Sequence, residues 1–541
     1  VKKEEPPPPP EPEPEPEPER KLSARELNQL KRKRKSAKQQ RPIEPAKRSK
    51  VEGDQPPPPS LMQTGSAAAA HASLQAAPGD WPFRALAELL SVELFSPTWE
   101  VRHGASLGLR ELFRTQGSGG GKRLGAVDNA RAHAEWAEDF AVRLLCVFAL
   151  DRLGDFVFDQ VVAPVRETAS QTLAQLLPHM SDELVRTTHC VLLDMTRQDS
   201  LRAAGTPVDT KRGYVWEVRH AGLLGLRYEV AMRRDMLGGD VPPERRGVPG
   251  SDMLTDVIEV ALLGLRDDDD DVRAVAAATL LPICEQIVTQ RLEHVPKLLE
   301  HLWSCVRDMR DDLSSSTGGV MDLLARLFGY AQVMEQMRER DGEYALSALV
   351  PHLYPFFRHT IASVRLSVLN ALAAFLSAPA VAHDWVDEWL IRLLFQNLVV
   401  EERPAVRTAT SHVWDMALGV LCTDPARFAA CVSPHMQTLF RIVMTPIGTP
   451  MDFELFFRPA RTGSHDIDKG IMAQDLTLVG VDTVIRGRLD AAEMLGDLLA
   501  RLPADVSATH AESLLLGALH STSALQRSLA AGVMQRWGHL V

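Results

Sequence analysis

The chain has 541 residues, 45% of them hydrophobic but only 6% aromatic, and a formal net charge of −11. A Leu-, Val- and Ala-rich, aromatic-poor composition supplies a long core of stacked helices and argues against a β-sandwich. The charge is divided, since residues 1–60 hold 15 Lys/Arg against 11 Asp/Glu and leave 45 against 60 for the other 481 residues; the acidic body is expected to repel a phosphate backbone and to favour a basic protein partner.

Residues 1–78 are low-complexity. Val1 to Glu19 alternates Glu and Pro, an extended polyproline-II pattern that buries no core. Leu22 to Gln40 reads as one short basic helix with Ser23 as N-cap. Two basic clusters, Lys31-Arg32-Lys33-Arg34-Lys35 and Lys47-Arg48, read as a nuclear import signal or a phosphate contact, with a solvated helix face as the plainer alternative.

From Asp80, placed to cap a helix containing Pro82, the pattern turns helical. Phe83, Leu86, Leu89 and Leu90 recur at helical spacing, Ser96-Pro97-Thr98 breaks the chain, and Trp99 opens a second helix whose stripe is Val101, Ala105, Leu109 and Leu112. The following pairs are Trp136–Leu150 with a helix opened by Pro164, Ser181–Thr196 with Trp216–Met232, and Asp252–Leu265 with Val272–Val288. Less regular pairs follow: 296–309 with 319–330, 344–359 with 363–376, and 385–398 with 405–421. Insertions at 115–132, 197–213, 239–250 and 446–475 read as loops rather than core. The organisation expected is thus a 1–78 segment, regular repeats over 79–290 and less regular repeats over 291–541.

Repetition is explicit in the sequence. Trp99-Glu100-Val101-Arg102-His103-Gly104 returns as Trp216-Glu217-Val218-Arg219-His220-Ala221, and each helix runs on into Leu-Gly-Leu-Arg. Fainter copies of the helix start carry Arg166, Arg273, Arg365, Arg407 and Arg527. The arginines are separated by 64, 53, 54, 92, 42 and 120 residues, which read as one, two or three units of the ~40–47 residues of HEAT and armadillo repeats. The fold class expected is all-α: a HEAT/armadillo-like α-solenoid of antiparallel helix pairs.

In each second helix the acidic residue is placed to cap exposed N–H groups, Val starts the buried stripe, and Arg reaches across the loop to a neighbouring repeat's carboxylate. Loops stacked along one edge of such an array also form binding edges. The candidate partner-binding residues are Trp99, Glu100, Asp155, Trp216, Glu217, Asp268, Asp269 and Asp270, with core packing as the alternative for both tryptophans. The run Asp267–Asp271 lacks the Gly and distal Glu of a calcium loop and reads as capping acids.

Catalytic patterns are near misses. Gly117-Ser118-Gly119-Gly120-Gly121-Lys122-Arg123 resembles a phosphate loop, but Gln116 stands where a Gly is required and Arg123 where Ser or Thr is required, so it reads as a flexible linker. The 17 His form no His-Glu-x-x-His pattern, and His103 and His220 read as satisfied structural histidines. No catalytic residue, metal site, cofactor or small-molecule substrate is expected here. Six scattered cysteines without a Cys-x-x-Cys pair suit a reduced, intracellular setting. No apolar run is expected to span a membrane, and Val1 in a low-complexity stretch suggests a soluble piece of a longer chain.

Several long blocks resemble the HEAT-repeat region of the TATA-binding-protein-associated ATPase family, and they occur in that family's order: Trp99–Ala105, Arg143–Arg152, Val161–Thr168, Trp216–Arg227, Asp269–Ala278 and Ser523–Arg527. Leu22–Glu26 with the lysine-rich run is similar to that family's basic insert. The resemblance implies a nuclear regulator of transcription whose array grips TATA-binding protein. A C-terminal SNF-type helicase-like ATPase, absent from this sequence, would use ATP and magnesium to strip that partner from promoter DNA. It also implies a latch, for which residues 1–78 offer the only insertion of comparable position. A karyopherin-like or phosphatase-scaffold adaptor is the alternative.

Overall fold

The computed structural model describes residues 78–151, 164–199, 214–238, 250–308, 316–338, 344–359, 361–378, 383–459 and 480–541. The expected low-complexity segment, its import signal and latch, the Gly154–Asp155 turn and most of the 197–213, 239–250 and 446–475 insertions lie outside the described residues. Among the described residues every regular element is a helix, save an isolated bridge between Asp80 and Arg123.

Helix α1 (Arg84–Glu93) packs on α2 (Trp99–Gln116), α3 (Asn129–Leu150) on α4 (Pro164–Leu176), α5 (Asp182–Arg197) on α6 (Trp216–Met232), and α7 (Met253–Leu265) on α8 (Asp270–Leu280). The second helices also stack on one another in order, α2 on α4, α4 on α6, α6 on α8, and then Ser316–Phe328, Ala362–Ser377 and Pro404–Leu421. One continuous core results. Leu109, Phe148, Leu173, Leu224, Ile258, Ala276, Trp303, Phe375 and Trp414 are all essentially inaccessible to solvent within it.

The starts follow local chemistry. Ser181 accepts from the Leu184 amide and Asp252 from that of Thr255, as N-caps do. Asp80 does not cap: α1 begins at Arg84, and Asp80 instead pairs with Arg84 at 3.1 Å and Arg123 at 2.5 Å. Pro282 ends α8 early in a 3₁₀ turn before Cys284–Gln290, because proline cannot donate to the ladder. The combined run Asp270–Gln290 is, against expectation, long and apolar enough to cross a bilayer, but Val272, Ala276, Leu280, Ile283 and Ile287 of that run are core residues. The 344–359 helix is mostly 3₁₀, over Val350–Arg358 with Pro355 inside it. Beyond 421 the sequence pattern leaves the elements undivided. There Pro425–Val432, Met436–Met444, Val481–Arg501 and Ala524–Leu540 carry the stack on.

The recurrent Leu-Gly-Leu-Arg has a packing reason. A Cβ on Gly108 would lie 3.0 Å from Leu90 of α1, and one on Gly225 would lie 2.4 Å from Leu192 of α5, so each glycine seats a leucine of the pairing helix. Gly117–Arg123 is not a flexible linker. Its backbone is wedged against aromatic rings: a Cβ on Gly120 would meet Trp136 at 2.5 Å and one on Gly119 would meet Trp81 at 2.7 Å. Gly120 O also receives His133 Nδ1 at 2.7 Å, and Trp81 N donates to Lys122 O.

The repeated arginines close the loops between paired helices. Arg102 Nη1 donates to Ser96 O and Pro97 O, Arg273 Nη1 to Asp267 O, Arg365 Nη1 to His359 O and Arg527 Nη1 to Ser521 O. In each an acceptor lies six residues back, in the loop just past the first helix, where carbonyls have no place in a helical ladder. Arg166 and Arg219, behind longer loops, reach Asp151 O at 2.6 Å and Thr196 O at 2.9 Å. The guanidinium's remaining nitrogens take a carboxylate from the next repeat: Arg102 takes Asp151 at 2.9 Å, Arg219 takes Asp267 at 2.7 Å, Arg365 takes Glu401 through two 2.8 Å bonds, and Arg407 takes Asp490. This is the cross-loop pairing expected of the repeat arginine at Arg102 and Arg219, whereas Arg273 pairs with Asp270 of its own helix and Arg166 lies 4.0 Å from Asp151 of the loop behind it.

A second buried charge cluster ties α5, α6 and α7. His189 Nδ1 lies 2.6 Å from Glu229 Oε2, and Nε2 lies 3.8 Å from Asp256, with His189 and Glu229 fully buried. Burial disfavours the charged ring, but the charge and hydrogen bond of Glu229, together with the nearby Asp256 carboxylate, outweigh it and raise the His189 pKa to about 9.

Two outcomes follow from these pairs. Asp267→Ala removes the acceptor of Arg219, of Tyr214 Oη and of the Asp269 amide; leaving Arg219 buried and unpaired should cost roughly 3–5 kcal/mol, read as a lower melting temperature, and adding Arg219→Met should recover much of it. An Asp267→Ala protein that melts like the parent would contradict a structural role for the pair. For His189 the folded pKa lies above the unfolded value of ~6.5, so its contribution is complete below that pH and disappears as pH rises toward 9. The melting temperature should fall over that interval in the parent, and His189→Gln should lose this dependence while melting lower near pH 6.

Candidate functional site

The loops between paired helices hold the residues singled out from sequence. Trp99 and Trp216 each open their helix half-buried, packed against the core on one side. Their rings lie 6.4 Å from His103 and 6.3 Å from His220, so the sequence repeat is a repeat of structure. The two loops are physically connected: Arg102 bonds Asp151, the Asp151 carbonyl takes Arg166, and the Arg166 guanidinium lies over the Trp216 ring at 5.6 Å.

Gln198, in the left-handed conformation at φ 59°, sets the approach to Trp216. Its side chain accepts from Val215 N at 2.9 Å and donates to Val215 O at 2.6 Å, fixing the residue before the helix. Tyr214 lies beneath the Arg219 guanidinium at 3.8 Å and donates to Asp267 at 2.6 Å. Asp151, Gln198, Tyr214 and Asp267 are absent from the sequence-derived candidates. Two of them left a trace in the sequence, Asp151 directly after Leu150 and Asp267 as the first acid of the run Asp267–Asp271.

The eight candidates separate by exposure. Glu100 and Asp268 are exposed, and Trp99, Trp216 and Glu217 are half-buried. Asp269 and Asp270 are only 3% and 8% exposed, and this corrects their assignment to a contact surface: Asp269 accepts from the Asp271 amide as N-cap, and Asp270 pairs with Arg273. Helix capping takes these acids inward, because an unpaired N-terminus of α8 would be costly where it is buried. Asp155 lies outside the described residues, as do Lys31 to Lys35, Lys47 and Arg48.

His103 Nδ1 is 2.8 Å from Thr168 Oγ1, a bond between α2 and α4. His220 differs from the satisfied histidine expected: its Nδ1 is buried with no hydrogen-bond partner among the described residues. Burial, with the nearby Arg166 charge, depresses its pKa to about 3, so it stays neutral at physiological pH. Among the described residues no three His, Cys, Asp or Glu side chains are placed to hold a metal ion. The loop edge offers two exposed acids, two half-exposed indoles and a rigid backing, which is the chemistry of protein recognition.

A family described as Domain of unknown function (DUF3535) matches residues 413–541. The chain is 37% identical over 500 residues to the TATA-binding protein-associated factor mot1 of Aspergillus fumigatus, covering 83% of this chain and 26% of that protein. It is 37% identical over 498 residues to the human TATA-binding protein-associated factor 172, covering 85% of this chain and 25% of that protein. The chain thus spans about a quarter of the length of the curated relatives it matches. A crystal structure of importin beta aligns with 12% identity and a TM-score of 0.32 over 83% of this chain and 57% of that one, a likeness too slight to carry a functional argument. At 34–37% identity over about four-fifths of its length, the chain matches the family of TATA-binding protein-associated factors.

Proposed function

We propose that this chain is a HEAT-type scaffold that binds TATA-binding protein along its loop edge and regulates transcription in the nucleus. The observation that carries the reading is the 34–37% identity, over about four-fifths of the chain, to relatives named for association with that protein. Physical features agree with it. Residues 61–541 are net acidic, which suits a basic partner, and Glu100 and Asp268 stand exposed beside half-exposed indoles on a rigid frame. A stable complex needs on the order of 1,200 Å² of buried surface, which several adjacent loops supply together.

In the longer protein the array positions its partner for a C-terminal SNF-type ATPase that uses ATP and magnesium to remove TATA-binding protein from promoter DNA. Promoter DNA is then reached through the partner and the ATPase, and this chain itself binds and positions without hydrolysing nucleotide. No membrane or small-molecule substrate enters this role. Residues 31–35 and 47–48 supply the import signal.

Titration of this chain with purified TATA-binding protein, with and without promoter DNA, tests the reading. Glu100→Lys with Asp268→Lys should weaken the complex about tenfold or more at low salt without changing the melting temperature, since neither side chain is buried. Trp99→Ala with Trp216→Ala should weaken binding and also lower the melting temperature, because both rings pack against the core. Absence of binding, or binding indifferent to the charge reversal, would overturn the loop-edge assignment.

A further inference from the structure

A cavity of about 490 Å³ opens beside Asp267, between the end of α7 and the start of the next first helix, Val295–Asp308. Arg266, Lys297 and His301 line it together with Leu262 and Leu263. Arg266 is the C-cap of α7, while Lys297 and His301 stand one turn apart on the facing helix. Arg266 and Lys297 are exposed and His301 is half-buried, and Leu263 is 39% exposed.

The charge state of the lining is unusual for this chain. Two of its acids are already matched, Asp267 by Arg219 at 2.7 Å and Glu259 by Arg197 at 3.1 Å. Among the described residues only Asp268 at the rim remains to oppose Arg266, Lys297 and His301, whose side chains make no hydrogen bond or ion pair there. Glu300, next to His301 in sequence, does not line the cavity. Elsewhere the repeat arginines are spent on loop carbonyls and neighbouring carboxylates, so a pair of unspent cations around a concave, partly apolar wall stands apart. The two cations also act on the ring between them: burial first, then the Arg266 and Lys297 charges, depress the His301 pKa despite Glu300.

We propose that the Arg266–Lys297–His301 cavity is a docking site for an acidic peptide segment of a partner protein, which inserts carboxylates between Arg266 and Lys297 and seats an apolar side chain on Leu263. Its volume falls in the range of sites that take a few side chains. Arg266 presents a fork suited to a carboxylate, Lys297 adds a mobile point charge, and His301 donates from its ring. A nucleic-acid backbone fits less well, because phosphate tracking needs an extended row of cations, and here two cations sit within an acidic body. The site adjoins the acidic and aromatic loop edge assigned to TATA-binding protein and shares Asp268 with it at the rim, but its cations call for a partner of opposite charge.

The test uses the full chain and fluorescence anisotropy with a labelled 12-residue peptide of Asp, Glu and Leu, alongside a labelled 12-nucleotide single strand of DNA. The peptide should bind in the micromolar range at low salt and lose about tenfold or more in affinity on Arg266→Glu with Lys297→Glu. Leu263→Ala should lose a few-fold. The double variant should keep its melting temperature and should not weaken the titration with TATA-binding protein, whereas loss of the loop edge would weaken it, which separates failure of this site from failure of that edge. No peptide binding, equal binding by parent and double variant, or binding of the DNA strand in preference to the peptide would each overturn the proposal.

Discussion

The structure depends on one recurring arrangement, an arginine in the first turn of a second helix that folds back onto the loop behind it and, at Arg102, Arg219 and Arg365, also reaches forward to an acid of the next repeat. A helix that ends leaves carbonyls without partners and a partial negative charge. The first loop amides close some of them, as Ser96 N does Glu93 O and Asp267 N does Gly264 O, but the loop's own carbonyls, Ser96 O and Asp267 O among them, then need another donor. The guanidinium has enough donors to cover one or two carbonyls and still hold a carboxylate. Arg365 shows the whole device, with one bond to His359 O and two to Glu401.

Because the acid belongs to the following repeat, closing one loop also sets the position of the next. Asp151 serves Arg102 through its carboxylate and Arg166 through its carbonyl, and Asp267 serves Arg219 and Arg273 in the same two ways. Such charges are expensive to bury, and their removal one at a time is worse than their joint replacement. The benefit is geometric. The Trp99 and Trp216 loops are held in register through Arg166, so whatever contacts them meets a surface already in place, with less ordering cost on binding.

The same economy explains which acids stay outside. Asp269 and Asp270 look in sequence like their neighbour Asp268, yet the helix start claims both and leaves Asp268 in solvent. It also explains why the glycine-rich 117–123 stretch is a packed element. Side chains of Trp81 and Trp136 approach its backbone at distances that no Cβ would permit. Composition suggests flexibility there, because a glycine kept for close approach and one kept for freedom look alike in a sequence.

Periodicity and local chemistry determined the helix pairs up to residue 421, several of their starts, the all-α class and the structural work of the repeat arginines. These depend on interactions within a few residues: the apolar stripe at 3.6-residue spacing, Ser181 and Asp252 as N-caps, and proline and glycine as stops. Tertiary structure alone decided the partners across loops, among them Asp151 with Arg102, Asp267 with Tyr214 and Arg219, and His189 with Glu229. It also decided the burial of Asp269 and Asp270 and the unspent charges of Arg266 and Lys297. Those partners lie 40 or more residues apart, and a pairing at that distance depends on how each repeat stacks on the next, which no local pattern encodes.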